Sequence, residues 1–134
     1  MDHRRILLVD DDQEVLVAMS KFLERRGFSV VTANNASTAL GTIVDGLASF
    51  DLVLADVALP QLSGPEILKA VKRALPELPV VLVGGYGDPE TRDELRALGA
   101  ADLLHKPFSG DCLLDSIQRA LGLPTAPELA HALS

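Results

Sequence analysis

Ile6-Leu7-Leu8-Val9-Asp10-Asp11-Asp12 sets three carboxylates directly behind four strongly apolar residues. The same step recurs at Leu52-Val53-Leu54-Ala55, followed by Asp56, and a related one at Leu103-Leu104-His105, followed by Lys106-Pro107. Short, nearly all-apolar runs suit parallel strands covered on both faces. Each of the three therefore reads as the carboxyl end of a buried strand. Open α/β sheets place their ligands in a crevice at that end, so strands of one sheet would bring Asp10, Asp11, Asp56 and Lys106 into one pocket. Carboxylates gathered there raise one another's pKa unless a hard cation and a nearby ammonium offset them. That combination suits a magnesium site for phosphate chemistry.

Outward from these segments, apolar runs alternate with helical periodicity five times. The runs are Ile6 to Val9, Phe28 to Val31, Leu52 to Ala55, Val80 to Val83 and Ala100 to Leu104. Between them Val15, Met19, Phe22 and Leu23 share a helix face, as do Ile67, Leu68, Val71 and Leu75, and then Leu113, Leu114, Ile117 and Leu121. Starts and stops are marked as well. Asp12 caps the first helix, Asn35 the second, Ser63 with Glu66 the third and Asp88-Pro89 the fourth, while Gly27 ends the first. The fourth helix offers mainly Leu95 and Leu98 to a core and is expected to be the loosest. A βα repeat of this kind predicts an α/β domain over residues 1–121. Residues 122–134 leave the pattern through Gly122 and Pro124 and read as a C-terminal tail or the start of a linker, with Thr125 and Glu128 at capping-box spacing.

A chain of 134 residues with 48% hydrophobic content can bury one core. Its formal net charge of −7 argues against direct nucleic-acid binding, which needs clustered Lys and Arg. Proteins and cations are the expected partners. The single cysteine, Cys112, allows no internal disulfide, is expected to be a small buried core residue and suits a reducing compartment. His3, His105 and His131 show no metal-ligand spacing. Four strongly apolar residues before Asp10 are too few for a signal-peptide core or a membrane span, so the expected location is the cytoplasm.

The ordered set Ile-Leu-Leu-Val-Asp10-Asp11-Asp12, Asp51-Leu-Val-Leu-Ala-Asp56-Val-Ala-Leu-Pro60-Gln-Leu-Ser-Gly64, Pro79-Val-Val-Leu-Val-Gly84-Gly85-Tyr86-Gly-Asp88 and Ala101-Asp-Leu-Leu-His-Lys106-Pro107-Phe108 resembles the receiver domain of two-component response regulators. The resemblance spans about residues 4–121. It implies a doubly wound, flavodoxin-like sheet of five parallel strands in the order 2-1-3-4-5 with five flanking helices. It further implies that Asp56 is phosphorylated by a histidine kinase or phosphotransfer protein. Mg²⁺ would be held by Asp10, Asp11, Asp56 and the carbonyl of Ala58, and Lys106 would reach the phosphoryl oxygens over a cis Lys106-Pro107 bond. Such a domain signals rather than turning over a substrate, catalysing only its own phosphorylation and dephosphorylation. A downstream protein target would read its state, and a monomer or weak homodimer would carry it.

Two positions depart from the family pattern. Gly84 stands where most receivers have Ser or Thr, and Leu103 where many have an aromatic residue. The hydroxyl and the ring that usually move together on phosphorylation are both missing, leaving the amides of Gly84 and Gly85 as donors and Tyr86 as a residue that could control access. Two alternatives remain at this stage. One is a pseudo-receiver that only binds partners. The other is a haloacid-dehalogenase-like phosphatase with Asp10 as nucleophile and Asp12 as acid/base, which would leave Asp56 without a role.

Overall fold

The computed structural model describes residues 4–45, 49–60, 62–85 and 88–123. Five strands and five helices alternate: β1 (Arg5–Val9), α1 (Gln13–Glu24), β2 (Ser29–Ala33), α2 (Ala36–Asp45), β3 (Leu52–Asp56), α3 (Gly64–Ala74), β4 (Val80–Gly84), α4 (Pro89–Ala97), β5 (Asp102–His105) and α5 (Gly110–Ala120). All strand pairs are parallel, in the order β2-β1-β3-β4-β5. The flavodoxin-like order expected from the resemblance is thus the order observed.

Side chains alternate through the sheet, so each strand feeds two cores. Leu7 and Val9 of β1 join Val53, Leu82, Leu103 and the inner residues of α2, α3 and α4 on one face. Ile6 and Leu8 join Leu54, Val81, Leu104 and the inner residues of α1 and α5 on the other. Strands β1, β3 and β4 are buried nearly throughout, whereas edge strand β2 is largely open to solvent at Ser29 and Thr32. That is why its sequence is less apolar than those of the central strands.

The caps form as read. Asp12 accepts from the amides of Glu14 and Val15, Asn35 from Thr38, and Asp88 from Thr91. Ser63 and Glu66 make a reciprocal capping box, and Gly27 leaves α1 with a left-handed φ of 91°. In α4 the buried residue is Leu95, with Leu98 half-buried behind it. Burying one leucine contributes about 1.5–3 kcal/mol, so α4 is held to the sheet by little more than one side chain.

Three expectations are corrected. Cys112 is exposed: it lies in the first turn of α5, where its amide donates to the Ser109 cap, one position before the inward-facing Leu113. Leu75 is exposed at the C-cap of α3, because the chain leaves helical geometry there. On α1 Leu23 is buried as read, and Met19 and Phe22 pack half-buried against the same core, but Leu16, not Val15, completes the inner stripe. Strand boundaries also shift: β2 runs to Ala33 and β5 begins at Asp102.

Candidate functional site: an acidic pocket with one lysine

Sheet register assembles the pocket. Val9 pairs with Ala55, so the next residues, Asp10 and Asp56, emerge side by side from adjacent strands. On the other side Asp56 pairs with Val83, and Gly84 pairs with His105, which sets Lys106 one residue beyond β5 at the same end of the sheet. Residues separated by about fifty positions therefore meet because three strands end in step.

Asp10, Asp11 and Asp56 each offer a carboxylate oxygen, and these lie within 4.8 Å of one another. Asp10 and Asp56 are buried, at 5% and 8% exposure, whereas Asp11 is exposed, so the cluster opens to solvent on one side. Asp10 Oδ1 accepts from the amide of Asp12 at 2.9 Å, and Asp56 Oδ1 from the amide of Ala58 at 2.8 Å. These local bonds fix the carboxylates at the strand ends. Lys106 Nζ donates to Asp56 Oδ2 at 2.8 Å and stands 4.0 Å from Asp10 Oδ2. Its own amide donates to the carbonyl of Gly84 at 3.0 Å, and the Lys106-Pro107 bond is cis, as expected.

Electrostatics follow from this geometry. Burial pushes the Asp10 carboxyl above the ordinary aspartate value of 3.8. The charges of Asp56 and Asp11 add to the rise, against the Asp12 amide and Lys106. For Lys106 burial works downward, but the hydrogen bond and charge of Asp56, with the charges of Asp10 and Asp11, carry its pKa above 10.5. The lysine therefore stays protonated throughout the physiological range. One ammonium facing three carboxylates leaves excess negative charge and hard oxygen donors, which fits a divalent cation such as Mg²⁺.

Not every residue singled out in the sequence joins this cluster. Asp12 spends its carboxylate capping α1, so it is not arranged as the acid/base partner that a dehalogenase-like reading requires. Gly84 is buried at the end of β4, Gly85 is exposed beside it, and Ala58 sits in an isolated bridge with Ser63. Leu103 is a core residue, 7% exposed. Tyr86, His3, His131, Thr125 and Glu128 lie outside the described residues.

Other features were not read from the sequence. Ser116, fully buried, donates to Asp102 Oδ2 at 2.6 Å, and Arg119 reaches the same oxygen at 3.2 Å, tying α5 to the start of β5. A serine at the inward spacing of Leu113 and Ile117 was the available signal. Beside the pocket, Val15, Ala18, Met19, Lys106, Pro107 and Phe108 border an open groove of about 490 Å³. A depression of about 340 Å³ lined by Phe50, Leu75 and Leu78 lies at the opposite, amino ends of the strands, away from the carboxylates.

The sequence pattern of the response regulator receiver domain matches residues 6–118. The chain belongs to this family. As a receiver it is 37% identical over 126 residues to the response regulator protein FleR of Pseudomonas aeruginosa, covering 92% of this chain and 26% of that protein. It is 38% identical over 123 residues to a CpxR homolog, a transcriptional regulatory protein of Haemophilus influenzae, covering 92% and 52%. Among solved structures, a response regulator receiver domain protein of Clostridium thermocellum superposes with a TM-score of 0.83 at 30% identity, covering 89% of this chain and 94% of that one. The chemotaxis protein CheY4 of Vibrio cholerae does so with a TM-score of 0.81 at 32% identity, covering 90% and 100%. The receiver spans about a quarter to a half of the length of the curated relatives it matches.

Proposed function

We propose that Asp56 is the phosphoacceptor of this receiver, taking its phosphoryl group from a histidine kinase or phosphotransfer protein. The observation that carries the reading is the contact of one Asp56 oxygen with Lys106 Nζ at 2.8 Å while the same carboxylate belongs to the acidic trio. An Asp56 oxygen attacks phosphorus, the bond from phosphorus to the donor histidine nitrogen breaks, and that nitrogen leaves with its electron pair. Asp56 is the nucleophile, and the protonated Lys106 offers its charge to the phosphoryl oxygens as its contact with Asp56 is exchanged. The amides of Gly84 and Gly85 are the further donors assigned to the phosphoryl group. Asp10, Asp11, Asp56 and the carbonyl of Ala58 are the residues that would hold Mg²⁺, which supplies charge neutralisation in phosphoryl transfer. Dephosphorylation is assigned to the same pocket: water attacks phosphorus, the bond from phosphorus to the Asp56 oxygen breaks, and the carboxylate and inorganic phosphate are released; these two steps are the only chemistry assigned to the receiver.

The apolar groove bordered by Val15, Met19 and Phe108 adjoins Lys106 and supports a protein donor. Residues 1–121 form the receiver in this reading, and 122–134 are a tail or the start of a linker. The relatives' length beyond the matched part supports a downstream protein target or output domain, and the net charge of −7 supports no direct nucleic-acid contact by the receiver itself. A cytoplasmic location and a monomeric or weakly dimeric state complete the proposal. No helix among the described residues is long and apolar enough to cross a membrane.

Intact mass after incubation with Mg²⁺ and acetyl phosphate tests the assignment. One added phosphoryl group is expected in the wild type and none in Asp56→Asn. Peptide mapping of the phosphate to Asp10, Asp11 or Asp12 would overturn it.

A further inference from the structure

Val57 stands between the phosphoacceptor Asp56 and Ala58, and its amide donates to the carbonyl of Val83 at 3.0 Å, extending the β3–β4 ladder by one rung. Its half-buried side chain occupies the room that residue 84 would ordinarily fill. A Cβ placed on Gly84 would overlap Val57 Cγ2, so no larger residue fits there unless Val57 moves. On its other side Val57 abuts Gly64, the first residue of α3: a Cβ there would come within 3.2 Å of both Val57 Cβ and Cγ1 and within 3.5 Å of Leu95 Cδ2. Val57 and Leu95 thus border the same glycine, and both belong with Leu103 to one apolar cluster.

We propose that Val57 is the residue that couples the phosphorylation site to α4, doing by packing what a side chain at position 84 cannot do here. The proposal rests on the reading of Asp56 as phosphoacceptor. Phosphorylation exchanges the single carboxylate charge of Asp56 for a phosphoryl group carrying about 1.5–2 negative charges and new acceptor oxygens, which load the strand end and turn that carry Val57. A β-branched side chain has few rotamers to absorb a backbone shift, so displacement of the turn moves both methyls bodily against Gly84 and Gly64. Leu95 lies across Gly64 and is the buried anchor of α4, whose remaining residues are exposed. A helix held at one point responds to a small push at that point.

A double-mutant cycle measures the coupling. The full chain is treated with Mg²⁺ and acetyl phosphate, phosphoryl incorporation is read by intact mass, and hydrogen exchange is followed over residues 88–98. Phosphorylation of the wild type is expected to change exchange there roughly tenfold, equivalent to about 1.4 kcal/mol. Val57→Ala is expected to take up the phosphoryl group to the same extent while the α4 response falls to about twofold or less, and Val57→Ile, which keeps both branches, should retain the response. Gly84→Ala, compared per phosphorylated molecule, should imitate Val57→Ala by forcing the valine from its seat, and the two changes together should do no more than either one. Should Val57→Ala fail to melt cooperatively, Gly84→Ala alone decides. A full α4 response in phosphorylated Val57→Ala or Gly84→Ala, independent effects of the two changes, or a fully phosphorylated wild type with unaltered α4 would each overturn the proposal. Absence of phosphoryl incorporation into the wild type would instead overturn the phosphoacceptor reading and remove the basis for coupling.

Discussion

Replacing Asp10 with asparagine should stabilise the metal-free protein and weaken it, relative to the wild type, once Mg²⁺ is present. Asp10 and its two neighbouring carboxylates present oxygens within 4.8 Å of one another. At an effective dielectric constant of about 20, each such repulsion is worth about 3.5 kcal/mol before screening. Lys106 Nζ, 4.0 Å from Asp10 Oδ2, returns about 4 kcal/mol on the same scale. Its side chain is 40% exposed and Asp11 is exposed too, so both the attraction and one of the repulsions must be discounted for solvent. A net penalty on the order of 1–3 kcal/mol is left on ionised Asp10, in addition to its burial. Asparagine keeps the shape and can still accept the Asp12 amide through its carbonyl oxygen. In EDTA at neutral pH, Asp10→Asn should therefore melt roughly 3–10 °C above the wild type. In Mg²⁺ at about 1,000 times its Kd the order should reverse, because the ligand then adds about 4.1 kcal/mol to the wild type, more than the penalty, and the variant has lost a ligand. Paired thermal melts with and without Mg²⁺ read the crossover directly. A variant less stable than the wild type in EDTA would refute the charge accounting, and wild-type melting indifferent to Mg²⁺ would refute the cation site.

The same raised pKa sets a pH dependence. Because Asp10 holds its proton more tightly when folded than unfolded, its contribution favours the native state below 3.8 and is lost as pH rises through the folded value. The stability gap between wild type and Asp10→Asn in EDTA should therefore close on acidification, and Mg²⁺ affinity should begin to fall at a higher pH than an unperturbed aspartate would dictate. Isothermal titration across the acid range checks this, and a flat Mg²⁺ affinity down to pH 4 would contradict it. Lys106→Ala should still gain stability from Mg²⁺ and still be phosphorylated on Asp56, but without a hydrogen bond worth about 1.5–3 kcal/mol to the charged phosphoryl group it should transmit poorly. Hydrogen exchange over residues 88–105, unchanged from phosphorylated wild type, would count against that role. Ser116→Ala should lower stability by a similar amount, because Asp102 would lose its shortest buried donor and keep Arg119; urea midpoints measure it, and a shift below about 0.5 kcal/mol would show that water or Arg119 compensates.

Much of this protein is written in local patterns. Ile6 to Val9 and Leu52 to Ala55 are legible as buried parallel strands because two-sided burial demands unbroken apolar runs, and the caps at Asp12, Asn35, Ser63 and Asp88 are legible because an N-cap depends on residues two or three positions away. The candidate site was legible for a related reason: strand ends in an open parallel sheet converge, so acidic residues and a lysine that each terminate a run could be placed together before any distance was known. Facing and close approach are different. The place of Leu16 in the α1 stripe where Val15 was expected and the exposure of Cys112 depend on the angle at which each helix lies on the sheet, which periodicity does not specify. The buried contact of Ser116 with Asp102 joins positions whose meeting depends on how α5 folds back over β5. The seat of Val57 against Gly84 and Gly64 joins residues 27 and 7 positions away, and in the sequence Gly84 reads only as a departure from the family pattern and Gly64 only as part of its motif. Only the packed structure shows that the volume missing at residue 84 is filled from residue 57, because close packing is a property of neighbours in space, and the chain brings those neighbours together only when β3, β4 and α3 have closed around them.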